Sequence, residues 1–207
     1  MTSLPPLSSG VRTVIGVDAG SAPLREADHL IHDLAAGLAL PPTTVACTHP
    51  VRTGRRPHLA TTFALPDEAT ARAVWHRLVA HLASAAPETG AAYAELRHGP
   101  EELAEAAAGA AREHAHRESG RAVLYPGADA VTGTVTLEHL LTHTAIEQAT
   151  VLGTPEPPAP TAEIETRAHV RPTWHTGHLT LALTPAPAGR LAPFEVPNPT
   201  PCCADHG

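Results

Sequence analysis

The chain has 207 residues and a formal net charge of −7; 43% of it is hydrophobic and only 3% aromatic. That length allows one medium domain or two small ones with a real core. The charge leaves no electrostatic footprint for nucleic acid or an anionic membrane, and no stretch approaches the ~20 apolar residues of a membrane span.

All 14 basic residues are arginine. A phosphate loop of the Gly-Lys-Ser/Thr type, a Schiff-base lysine and a Ser-x-x-Lys nucleophile are therefore excluded. Three cysteines are an odd and sparse set, which argues against a disulfide framework and fits a reducing cytoplasm. The segment Met1–Leu7 has neither the basic region nor the apolar stretch of a secretion signal. The expected location is cytoplasmic.

Residues 1–11 read as an N-terminal tail, and 12–17 as a short strand. Residues 23–39 read as a helix, because Leu24, Ala27, Leu30, Ile31, Leu34 and Leu38 share one face. Pro41-Pro42 stops it. Residues 43–51 and 57–65 read as a hairpin around Arg52-Thr-Gly-Arg55, and Asp67 as the N-cap of a helix whose buried face holds Val74, Trp75, Leu78 and Leu82. A strand over 91–98 and an alanine-rich helix over 101–118 follow. Together 12–118 give the order βαββαβ with one further helix, the order of a ferredoxin-like unit.

The second part restarts that order over 121–184. A strand at 121–125, a helix at 134–152 and a hairpin of 163–171 with 178–184 make a truncated copy. Residues 185–207 are a proline-rich tail ending in Cys202-Cys203-Ala204-Asp205-His206-Gly207. The expected fold class is α+β, with tandem ferredoxin-like (βαββ-type) units, antiparallel sheets and helices on one face. Face-to-face packing of the two units would give an α+β barrel.

A histidine pattern supports the duplication. His29 and His139 each follow an acid, and His49/His58 and His169/His178 each flank a turn nine residues apart. His29 to His139 is 110 residues, while His49 to His169 is 120; the extra ten coincide with the proline-rich segment 154–161. A short even loop makes His49 and His58 direct cross-strand partners, and likewise His169 and His178, with Cβ atoms ~4.5–5.5 Å apart. Strand alternation places Val45, Cys47, His49, Val51 and His58 on one face, opposite Phe63 and Leu65. The matching face of the second unit carries Glu165, Arg167, His169, Arg171, His178 and Thr180. If the two faces meet, four histidines and Cys47 line the space between them, a donor set for Zn, Fe or Cu.

The other histidines have plainer readings. His29 and His32 fit surface i,i+4 pairs with Asp33 and Asp28, and His139, His143 and Glu147 fit an exposed helical row. His76, His81, His114 and His116 form no evident constellation. In the tail, Cys202 and Cys203 are adjacent, so a soft-metal grip completed by His206 is more natural than a strained disulfide. Phe194 and Val196 suggest that the tail packs on the body. The arginine turn 52–56 offers forked donors to a phosphate or carboxylate, or else a solvated hairpin tip.

Two short segments resemble known families. Val135–Thr144, VTLEHLLTHT, resembles the HLLTHT segment of serine β-lactamase-related hydrolases, whose chemistry requires a lysine that this chain lacks. Val14–Ser21, VIGVDAGS, is similar to the first phosphate loop of the sugar-kinase/actin superfamily. There a glycine-led hairpin follows, whereas here a helical pattern begins.

The leading expectation is a cytoplasmic transition-metal-binding protein using His49, His58, His169 and His178, with Cys202, Cys203 and His206 from the tail. Whether the ion is catalytic or only held is open. The alternatives are a non-enzymatic interaction or small-ligand-binding module, and a thiol-based enzyme or sensor using the C-terminal cysteines. Partners stay open between a small molecule, a protein and a second copy of the chain.

Overall fold

Alternation along the first strand, β1 (Thr13–Ser21), sets up two packing faces: Ile15 and Val17 look to one side, Val14 to the other. Two amphipathic helices, α1 (Leu24–Gly37) and α2 (Glu68–Ala85), cover the first side. They lay Ile31, Leu34, Val74, Trp75 and Leu78 against Ile15, Val17, Phe63 and Leu65. Asp67 caps α2 as the sequence predicts, its Oδ1 accepting from Thr70 N at 2.7 Å. The structure, a computed structural model, describes residues 13–52, 56–85 and 88–197.

Strands β2 (Val45–Val51) and β3 (His58–Leu65) form the expected hairpin. The stretch expected as one strand over 91–98 is itself a hairpin, β4 (Gly90–Tyr93) and β5 (Leu96–His98), turning where Ala94 has φ 48°. These strands lie in the order β5-β4-β1-β3-β2, all antiparallel.

The third helix, α3 (Glu101–Ala115), corrects the expectation of helices on one face only. It packs on the side of β1 and β4 opposite α1 and α2. A Cβ on Gly16 would fall 2.1 Å from the Ala107 carbonyl oxygen, and one on Gly90 2.3 Å from Ala104 N. Glycines on the sheet and alanines on the helix let the two backbones approach closely, burying Ala104, Ala107, Ala108 and Ala110.

The second half continues the same sheet. Strand β6 (Arg121–Leu124) pairs with β2, placing Ala122 opposite Cys47. The helix expected over 134–152 is three elements: β7 (Thr134–Thr136), α4 (Leu137–His143) and β8 (Gln148–Val151). Thr136 caps α4 by accepting from His139 N, and at the far end the Thr144 hydroxyl and N–H both bond back to Leu140 O. Beyond it Ile146, Thr150 and Val151 favour extended backbone.

The remaining strands are β9 (Glu163–Glu165), β10 (Thr173–His175), β11 (His178–Pro185) and β12 (Leu191–Pro193). The order from β6 onward is β6-β10-β11-β12-β9-β7, with β8 beside β11. The β8–β11 and β12–β9 pairs are parallel and the rest antiparallel. The fold among the described residues is thus α+β, with four α-helices on one large, mostly antiparallel sheet. The second half does not repeat the strand order of the first.

Register changes both histidine pairings. In the first hairpin His49 lies opposite Ala60 and Val51 opposite His58. The register is offset by two residues from the expected one; His49 and His58 keep one face but are diagonal neighbours rather than partners. In the second, His178 faces His175 instead of His169, because 163–171 does not run beside β11 and β10 takes that place.

Candidate metal centre

Cys47 and His49 alternate onto the face of β2 that α3 covers, and both are buried, at 0% and 1% exposure. The last turn of α3 brings His114, 2% exposed, to the same place. One ligand atom from each residue lies within 4.8 Å of the other two, and among the described residues this is the one group of three or more metal-ligating side chains so gathered. Cys47 Sγ is 3.8 Å from His114 Nε2, and the two imidazole centroids are 5.8 Å apart.

The surrounding groups orient these three. Thr62, the next inward residue of β3 after Ala60, puts its hydroxyl 3.0 Å from His49 Nε2 and 2.7 Å from His114 Nδ1. On the outer side His49 Nδ1 meets Ser119 Oγ at 3.3 Å and the half-exposed Glu113 carboxylate at 3.6 Å. Gly120 closes the space beside the pair. A Cβ there would sit 2.7 Å from His49 Cε1 and 3.1 Å from Cys47 Cβ, and its φ of +123° is a glycine conformation. Trp174 of β10 stacks at a tilt on His114, with the Arg117 guanidinium 4.9 Å over the indole.

Burial sets the electrostatics. It drives the His49 imidazole down to about 4, outweighing the opposing charge of Glu113, so this histidine is neutral at physiological pH. Burial likewise pushes the Cys47 thiol far above the ordinary range, with the Trp174 indole and Arg121 acting against it. The Trp174 Nε1–H favours the thiolate, yet it makes no hydrogen bond of ordinary geometry and remains a buried, unpaired donor. A sulfur carrying negative charge would give that donor its acceptor. Neutral imidazoles, a thiol and a waiting N–H donor fit a soft or borderline cation, which binds the thiolate and displaces its proton.

A cleft of about 830 Å³ reaches the site from solvent between β2 and α3, lined by His49, Val51, Arg52, Glu105, Glu113 and Ser119. A second cleft, of about 620 Å³, lies between α4, β8 and the proline-rich segment 154–160. Among the described residues it is lined by Glu138, Glu147 and Glu156 with leucines, prolines, threonines and Gln148, and by no thiol or imidazole.

The structure distributes the other expected ligands elsewhere. His58 Nε2 binds Asp18 Oδ2 at 2.7 Å and its Nδ1 the Arg56 carbonyl at 2.9 Å. Despite some desolvation, those two acceptors raise its pKa. His169 Nε2 meets Glu195 Oε1 at 2.9 Å, and the half-exposed His178 meets Glu147 Oε2 at 3.1 Å. Glu147 therefore leaves the expected helical row and joins Arg117 and His178. Asp28, expected beside His32, is taken by the two terminal Arg121 nitrogens at 2.7 and 3.1 Å. His139 and His143 do stack, with centroids 4.1 Å apart, on the exposed side of α4.

At the start of the tail it is Glu195 that docks, into Arg121 and His169, while the Phe194 side chain is 62% exposed. Cys202, Cys203 and His206 lie outside the described residues, as do residues 53–55 of the arginine turn.

Sequence reasoning found Cys47 and His49 by strand parity and missed His114 and Thr62. A signal for His114 was present: Ala104, Ala107, Ala111 and His114 recur at helical spacing, which puts the histidine on the small-residue stripe that packs on the sheet. Searched against known proteins, the chain matches no family model, no curated protein and no solved structure. No helix among the described residues is long and apolar enough to cross a membrane.

Proposed function

We propose that this protein binds one transition-metal ion through Cys47, His49 and His114. The observation that carries the reading is the convergence of one thiol and two imidazoles within 4.8 Å of one another, all buried, beside an indole N–H that lacks an acceptor. One thiolate with two neutral imidazoles suits Zn(II) or copper; a harder, oxygen-seeking cation would find no carboxylate among the three donors.

Three protein donors leave a fourth coordination position. A catalytic ion keeps that position for water or substrate, and the cleft that ends on His49 would supply access. Alternatively Cys202, Cys203 or His206 completes a closed, structural site. His58, His169 and His178, each held by a carboxylate, are in this reading hydrogen-bond partners rather than ligands.

The test is elemental analysis of protein purified without a histidine tag, followed by Co(II) substitution. One ion per chain and a thiolate-to-cobalt charge-transfer band, both lost in Cys47→Ala, support the reading. Deleting residues 198–207 separates its two forms. If the tail supplies a ligand, the cobalt spectrum and affinity change; if water or substrate holds the fourth position, both persist.

A further inference from the structure

The wholly buried hydroxyl of Thr62 meets three groups: His49 Nε2 at 3.0 Å, His114 Nδ1 at 2.7 Å and the Cys47 carbonyl at 3.5 Å. A hydroxyl has one proton and two lone pairs, so the protons of the cluster can be placed by elimination. Ser119 donates its proton to the Glu113 carboxylate. Toward His49 Nδ1 it can only accept, and His49 Nδ1 therefore carries the hydrogen. The neutral ring then has its lone pair on Nε2, which accepts from the Thr62 hydroxyl. The Thr62 oxygen is left to accept from His114 Nδ1–H, and that tautomer turns the His114 Nε2 lone pair toward the Cys47 sulfur. Both imidazoles thus present Nε2 inward and keep Nδ1–H on a hydroxyl.

We propose that Thr62 is a positioning residue of the Cys47–His49–His114 centre, one that closes the site in the absence of an ion and turns aside when an ion enters. This rests on the metal reading above. Without an ion the hydroxyl donates to His49 Nε2 and so occupies the lone pair that would coordinate. An ion on Nε2 would sit about 2 Å from that nitrogen, so the His49 ring and the hydroxyl would have to part; the hydroxyl proton would then turn to the Cys47 carbonyl while the oxygen keeps accepting from His114 Nδ1–H. One hydrogen bond replaces another and no proton leaves the residue. His114 is therefore held ready in both states, and His49, the ligand the cleft reaches, is the one uncovered on loading. The arrangement follows the general rule that a ligating imidazole donates its other N–H to a fixed oxygen.

The experiment compares the wild type with Thr62→Val, which keeps the shape, and Thr62→Ser, which keeps the hydroxyl. In metal-free protein, long-range 15N–1H spectra of the imidazoles are expected to show His49 and His114 both as Nδ1–H tautomers, in the wild type and in Thr62→Ser. Thr62→Val is expected to lose the preference at His114. Co(II) titration is expected to show Thr62→Val weakened by roughly 10–100-fold, and Thr62→Ser close to wild type. Wild-type Co(II) binding with undiminished affinity in Thr62→Val overturns the role of Thr62 while leaving the metal centre standing. No Co(II) binding by the wild type removes the centre, and this proposal with it. The tautomer spectrum of the wild type needs no variant to fold: an Nε2–H proton on either histidine overturns the proposal directly.

Discussion

The histidines of the two halves differ in burial and in hydrogen-bond partner. In the first half His49 and His114 are packed with a thiol under a helix, and the nearest carboxylate to His49, Glu113, is half-exposed and partly occupied by Ser119. Desolvation wins there, and the ring is neutral with a lone pair to give. In the second half His169 and His178 are themselves nearer the surface, and each sits within 3.1 Å of a carboxylate. His58, against the buried Asp18, likewise has a carboxylate partner although it lies in the first half. A histidine's local partner, more than its place in a sequence pattern, decides whether it can serve as a ligand.

The largest effect that would break this contrast is loss of a ligand. A structural zinc site is worth about 10–16 kcal/mol over four ligands, or roughly 2.5–4 kcal/mol each. Cys47→Ser and His114→Ala are therefore expected to weaken Co(II) or Zn(II) binding by roughly several hundredfold in competition titrations. His178→Ala should leave the affinity unchanged, and a comparable loss there would erase the distinction between the halves.

The pH profile of stability sharpens the contrast next. Below about pH 6.5 the unfolded chain protonates His49, while the folded protein resists until about 4, so stability falls as pH drops through that window. The loss is on the order of 3 kcal/mol, readable by urea melts of metal-free protein. His58 has the opposite sign. With its pKa raised by the Arg56 carbonyl and Asp18, it contributes stability that is fully present below the ordinary imidazole range and lost as pH rises through the raised value. His49→Gln should flatten the acid flank of the profile and His58→Gln the other.

Smaller effects lie in the packing around the two regions. Gly120→Ala combines a disfavoured φ with a clash on the His49 ring and should cost about 1–3 kcal/mol while also weakening metal binding. Glu195→Gln removes the charged fork from Arg121, with an expected cost of about 1.5–3 kcal/mol and no effect on metal affinity. His178→Ala, at a half-exposed position, should stay within about 0.5 kcal/mol of wild type in the same melts.

Much of the first half was legible because its signals are local. The apolar stripe of α1, the Asp67 cap and the alternation of β2 and β3 each act within a few residues. Parity therefore placed Cys47 and His49 together on the face opposite Phe63 and Leu65. It could not say what covers that face, because the answer depends on contacts between distant segments: Gly16 and Gly90 of the sheet against Ala107 and Ala104 of α3. Once that helix docks, His114 arrives with it.

The second half was read less well because a matching histidine spacing suggested a matching fold. Residues 134–152 carry leucines at helical spacing, but Thr144 ends the helix and the β-branched residues beyond it join the sheet beside β11. Register was equally sensitive. A register offset of two residues separated His49 from His58 without changing the face of either.

Zn(II) equilibrium dialysis of untagged wild type beside Cys47→Ala, with the bound metal counted by mass spectrometry, addresses the central claim most directly. The account predicts one tightly held ion per wild-type chain and none in the variant. A wild type that retains no ion, or a Cys47→Ala chain that holds it equally well, would contradict it.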